Sequence, residues 1–155
     1  MRILFVCTAN ICRSPLAEHL CRRLLAEKGL VGVEVASAGV LARAGTPPAE
    51  TALHVARANG LDLSGHRARP LEALHLGAGD LVLVMEESHR RHVLTLAPLD
   101  PLQVRLLGRF SPGGPDEIAD PYGGTELAYQ ECIDRLRACL EHLAVWLDDE
   151  RISRA

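Results

Sequence analysis

At 155 residues the chain holds one domain's worth of sequence, long enough to bury a sizeable core. Its 48% hydrophobic and 24% charged residues describe an ordinary globular protein, and a net charge of -3 with no basic block argues against nucleic acid as a partner. No run nears the ~18 apolar residues of a membrane span, and the apolar start, residues 1–6, is too short for a signal-peptide core. A cytoplasmic protein is therefore expected. Five cysteines, an odd number in a reducing compartment, argue against a structural disulfide framework, and the lack of any Cys-x-x-Cys pair argues against zinc.

Residues 2–6 are an apolar run that reads as a buried strand. After a loop, Leu16, Leu20 and Leu24 repeat at helical spacing, with Gly29 as the stop. Residues 31–37 predict a second strand, with Val33 and Val35 on one face. Residues 38–48, with Gly39, Gly45 and Pro47-Pro48, read as loop, and 49–59 as a helix closed by Gly60. A third strand is expected over 80–85, a helix over 87–96 and a short fourth strand near 104–107. The Gly- and Pro-rich stretch 109–124 must be a long loop. A final helix over about 125–147 carries Ile133, Leu136, Leu140, Leu143 and Leu147 as one buried stripe. There is no internal repeat or linker, so residues 1–155 read as one domain.

Strands alternating with helices predict an α/β three-layer sandwich: a central four-stranded parallel sheet with helices on both faces. Such sheets bind ligands at the carboxyl ends of their strands. The loop 7–14 sits at such an end and runs straight into a helix.

That loop has the parts of a phosphate site. Successive backbone N–H groups in a tight loop form an anion nest, here Thr8, Ala9, Asn10, Ile11, Cys12 and Ser14, and the following helix adds the positive end of its dipole. Arg13 can hold two phosphate oxygens with one planar guanidinium. Cys7 opens the loop and lies in the same positive field, which favours a nucleophilic thiolate. The Ser14 hydroxyl can donate to the sulfur.

The run Val6-Cys7-Thr8-Ala9-Asn10-Ile11-Cys12-Arg13-Ser14-Pro15 resembles the loop V-C-x-G-N-x-C-R-S-P of the low-molecular-weight protein tyrosine phosphatases. The likeness extends in order to Ser37-Ala38-Gly39, His66-x-Ala68-Arg69, residues 80–85 and Asp120-Pro121-Tyr122, and so spans essentially the whole chain. It implies Cys7 as nucleophile, Arg13 as phosphate clamp and Asp120 as general acid and then base, with phosphorylated proteins as substrates and neither metal nor cofactor. It also implies that Asn10, Ser14, Ser37 and His66 support the loop and that Ile11 and Tyr122 wall the substrate slot. Ala9 departs from the family's usual Gly, whose freedom of dihedral angle an added methyl removes.

Cys12, in the same loop, could form a reversible bond with Cys7 and switch activity off. Cys21, Cys132 and Cys139 fall on helices and read as core. His89 and His92 are expected to be solvated, and Glu86-Glu87 to be loop and helix-start charge. A thioredoxin-coupled arsenate reductase would need two further cysteines around 85–96, and none is there. A sugar-transport phosphocarrier must preserve its phosphocysteine, whereas Arg13 and Asp120 would hasten its hydrolysis. An idle phosphotyrosine-binding module would lack some part of this set. Protein-arginine phosphatases share the scaffold and resemble the stretch 120–125, but typically carry Thr where Ile11 stands.

Overall fold

A computed structural model describes residues 1–154, so Ala155 lies outside the described residues. The strands are β1 (Arg2–Cys7), β2 (Glu34–Gly39), β3 (Asp80–Val84) and β4 (Val104–Leu106). The helices are α1 (Arg13–Glu27), α2 (Glu50–Ala58), α3 (Glu87–Leu96) and α4 (Glu126–Arg154). The sheet is parallel throughout, in the order β2-β1-β3-β4. β1 therefore lies at the switch point, with its sequence neighbour β2 on one side and β3 on the other.

The expected three-layer arrangement holds. Along β1, Ile3, Phe5 and Cys7 join one core cluster with residues of α1, α2 and α4, while Leu4 and Val6 join a second with Val93 of α3. Both faces are covered, which is why β1 and β3 read as continuous apolar runs rather than alternating ones. The α4 stripe, including Ile133, Leu136, Leu140 and Leu143, is fully buried against the first face.

Some boundaries moved. β2 starts at Glu34 rather than residue 31, because Gly29 and Gly32 take positive φ (65° and 82°) and Val31 is exposed in the intervening turn. α4 runs past Leu147 to Arg154: the apolar stripe stops there, and the exposed Asp148 and Asp149 follow it. Short 3-10 turns at Leu71–Ala73, Pro101–Gln103 and Leu107–Phe110 fill connections that carried no periodic signal. Among the described residues, no helix is long and apolar enough to cross a membrane.

Candidate active site

The loop between β1 and α1 is held in place by one side chain above all. Asn10, with no exposed surface, takes a left-handed φ of 57°, a conformation Asn tolerates better than most residues. Its Nδ2 donates to Ser14 Oγ at 2.8 Å and Ser37 Oγ at 2.9 Å, and its Oδ1 accepts from the Arg69 amide at 2.9 Å. The Asn10 carbonyl accepts from His66 Nε2 at 2.7 Å. Ser37 in turn donates to the buried carboxylate of Glu18, which pairs with Arg22. Burial holds the His66 imidazole below its ordinary value, opposed by the bond to Asn10. All four expected loop supports therefore meet around Asn10.

Gly39 explains why the second landmark needs a glycine. A Cβ there would lie 2.6 Å from the Thr8 carbonyl oxygen and 2.9 Å from the Asn10 nitrogen, both backbone atoms that cannot move aside. Ala9, by contrast, is partly exposed, and among the described residues Asn10 alone of the non-glycines has positive φ. The added methyl at Ala9 is thus accommodated without a glycine-only conformation.

Cys7 Sγ lies 2.8 Å from Ser14 Oγ. Ser14 Oγ already accepts from Asn10, so its own proton is left for the sulfur. This is the hydrogen bond a thiolate wants. Arg13 is almost completely buried; its Nη1 donates to Glu86 Oε2 at 2.9 Å and to the Ile118 carbonyl at 2.8 Å. Among the described residues its Nη2 has contacts only at 3.5 Å, to Thr8 Oγ1 and Asp120 Oδ2. One nitrogen is thus anchored while the other stays loosely engaged.

Asp120 is half exposed, in the long loop before α4, and its Oδ1 accepts from the Tyr122 amide at 3.1 Å. Tyr122 is exposed at the rim. Cys7, Thr8, Ala9, Ile11, Cys12, Arg13, Asp120 and Tyr122 together line a cavity of about 280 Å³. The nucleophile, clamp, acid and slot residues expected from the sequence therefore share one pocket.

One expectation is corrected and another extended. His89 is not solvated but buried, with Nε2 2.9 Å from Thr8 Oγ1 and 3.4 Å from Glu86 Oε2. Its Nδ1 has no partner among the described residues, and burial, then the charge of Arg13, push its pKa down. Glu86 is a helix-start charge, as expected, but its carboxylate also anchors Arg13. Both follow the carboxyl end of β3, beside that of β1. Position in the sheet was the signal that could have singled them out.

All five cysteines are free. Cys12 Sγ is 3.4 Å from the hydroxyl of Tyr129, a buried α4 residue the sequence did not single out, and burial pushes the Cys12 thiol up to about 11. Cys21, Cys132 and Cys139 are core residues, as expected. Among the described residues, no three His, Cys, Asp or Glu side chains form a group that could hold a metal ion.

A cysteine, a buried arginine and an aspartate thus share one pocket where β1 runs into α1, the arrangement expected of a phosphoric monoester hydrolase. The family model for the low molecular weight phosphotyrosine protein phosphatases matches residues 2–153, and the chain belongs to that family. The low molecular weight protein-tyrosine-phosphatase Etp of Escherichia coli K12 is 38% identical over 152 residues, 98% of this chain and 95% of its own. A protein-arginine-phosphatase of Geobacillus stearothermophilus is 37% identical over 150 residues, 97% of this chain and 98% of its own. Among solved structures, YwlE arginine phosphatase, a cysteine-to-serine mutant with a phosphorylated active-site serine, superposes with a TM-score of 0.88 at 32% identity. That match covers 97% of this chain and 98% of YwlE. The tyrosine phosphatase Wzb of Escherichia coli K30, in complex with sulphate, gives 0.79 at 37% identity, over 94% of this chain and 97% of its own.

Proposed function

We propose that residues 1–155 act as a single cytoplasmic protein-tyrosine-phosphatase domain, without metal, cofactor or nucleic acid, through a phosphocysteine at Cys7. The Cys7 thiolate attacks phosphorus in line; the S–P bond forms as the P–O bond to the tyrosyl oxygen breaks. Protonated Asp120 gives its proton to that oxygen. Asp120 then takes a proton from water as the water attacks phosphorus, which breaks the S–P bond and frees inorganic phosphate. Arg13 and the loop amides hold the equatorial oxygens throughout, and the Ser14 hydroxyl supports the departing sulfur. The observation that carries this reading is the Asn10–Ser14–Cys7 chain of hydrogen bonds, which directs a proton donor at the sulfur. The phosphorylated serine in the YwlE mutant is the counterpart, on a relative, of the intermediate proposed here.

Phosphotyrosine is the favoured substrate because of Ile11. Its partly buried side chain lines the slot with Tyr122 and suits a flat apolar ring. Phosphoarginine would bring N–H donors against the Ile11 side chain, which offers no acceptor, at a cost of ~1–3 kcal/mol, roughly ten- to a hundredfold in specificity. Side-by-side kcat/KM values on phosphotyrosine and phosphoarginine test this: a clear preference for phosphotyrosine is expected, eroded by Ile11→Thr. Equal or better efficiency on phosphoarginine would overturn the assignment. Peroxide is expected to inactivate the enzyme reversibly through a Cys7–Cys12 disulfide, the two thiols supplying the electrons that reduce peroxide to water.

A further inference from the structure

The two sides of the phosphate loop carry opposite charge. On one side lie residues 39–49 and 64–70, stitched together by Gly39 N to Arg69 O (3.0 Å), Gly45 N to Ala68 O (2.9 Å) and Ala68 N to Thr46 O (2.8 Å). The same segments are bonded to the phosphate loop: Val40 N to Cys7 O at 3.0 Å, Leu41 N to Thr8 O at 2.8 Å and Ala49 N to Ile11 O at 3.1 Å. They form a continuous backbone shelf beside the slot. The shelf carries Arg43, Arg67 and Arg69, all exposed, and no acid; Glu50 and Asp62 fall just outside its ends. None of the three arginines has a carboxylate partner among the described residues, and Arg67 spends one nitrogen on the carbonyls of Ser64 and His66. The wall that brings Asp120 and Tyr122 to the slot belongs to residues 117–131, which also carry Glu117, Glu131 and Glu126, the last paired with His54 at 3.3 Å, and no base.

We propose that this arginine shelf docks acidic residues flanking the phosphorylated residue of a protein substrate. The inference rests on reading the slot as that of a protein phosphatase. A phosphorylated side chain that enters the slot brings its own backbone to the rim, where the flanking residues meet the shelf on one side and the acidic wall on the other. Carboxylates are attracted to the first and repelled by the second; lysines experience the reverse. The chain as a whole is acidic, at -3, so this attraction is local to the shelf and not a property of overall charge. Exposed pairs of this kind are individually weak and screened by salt. Their effect is therefore discrimination among substrates rather than tight binding.

The test uses two short phosphotyrosyl peptides of one length, one flanked by glutamates and one by lysines, with free phosphotyrosine alongside. The readout is the ratio of kcat/KM for the acidic peptide to that for the basic one, so any general loss of activity in a variant cancels. At low salt the parent is expected to give a ratio of about ten, a few-fold for each charge engaged. The double variant Arg43→Glu, Arg69→Glu is expected to bring the ratio to one or below. In the parent, rising salt should also carry it toward one. A parent ratio near one at low salt, or one that neither salt nor the double variant moves, would overturn the shelf alone. Failure to hydrolyse even free phosphotyrosine would instead overturn the phosphatase reading, and the shelf with it.

Discussion

The phosphate loop and the acid loop meet over one cavity but are built on opposite plans. The first is buried and held by side chains: Asn10 alone makes three side-chain bonds, and Arg13 is anchored by Glu86 and the Ile118 carbonyl. The second, residues 107–125, is held from outside. Arg135 of α4 donates to the carbonyls of Gly108 at 2.8 Å and Pro115 at 3.0 Å, and the exposed Arg109–Asp116 pair closes its middle. Asp120 near its end is half exposed and, among the described residues, has only the Tyr122 amide and a 3.5 Å contact to Arg13. The difference matches the two tasks proposed for them. A phosphate dianion must be met by groups already in position, because reorganising them would consume the binding energy. An acid that first donates and then accepts a proton needs contact with the leaving group and with water, and so sits at the rim.

The sharpest way to separate the two loops is to remove their chemistry. Cys7→Ser should lower turnover by about a thousandfold or more while phosphate still binds, because the nest and Arg13 remain. Substantial hydrolysis by this variant would show that the sulfur is not the nucleophile.

Next in size is a contrast between Asp120→Asn and Asn10→Ala. Loss of a general acid is worth about 10²–10⁴-fold, and the loss should grow with the leaving group's pKa, since a good leaving group needs no proton. Asn10→Ala leaves several buried partners unsatisfied and should cost about 2–4 kcal/mol of stability and slow all aryl phosphates alike. If Asp120→Asn slowed good and poor leaving groups equally, the proton-donor role would be wrong. A leaving-group dependence in Asn10→Ala would show that the loop's scaffold and the acid are not separable.

The smallest expected effect concerns two imidazoles, the half-buried His66 under the phosphate loop and the buried His89 behind Thr8. Both have pKa values pushed below the usual 6.5, mainly by burial. Between the folded and unfolded values the unfolded chain binds more protons, so stability falls as pH drops below about 6.5 and levels off once both states are protonated. Urea midpoints from pH 7.5 downward should show this slope in the parent and a shallower one in His89→Asn, which keeps an amide able to donate to Thr8 but cannot titrate. Parallel slopes would remove His89 from the account. His89→Leu, which loses that donor, should slow aryl phosphate hydrolysis by a few-fold while His89→Asn does not.

Much of the molecule was legible in the residues themselves. Apolar runs bounded by loops revealed β1 and β3, and a spacing of three and four revealed α4, because burial on a sheet face or helix stripe leaves a local period. The loop 7–14 was legible for a similar reason: the proposed nucleophile, the proposed clamp and a helix start lie next to one another in the sequence. Tertiary structure alone decided what lies behind that loop. Glu86 and His89 are more than seventy residues from Arg13 and Thr8 along the chain, yet within hydrogen-bonding reach because β1 and β3 are neighbours in the sheet. Tyr129 meets Cys12 across 117 positions by the same kind of packing. A histidine on a short helix has the same local pattern whether water or a buried threonine faces it. The register of one strand against another settles which, and no period in the sequence encodes that register.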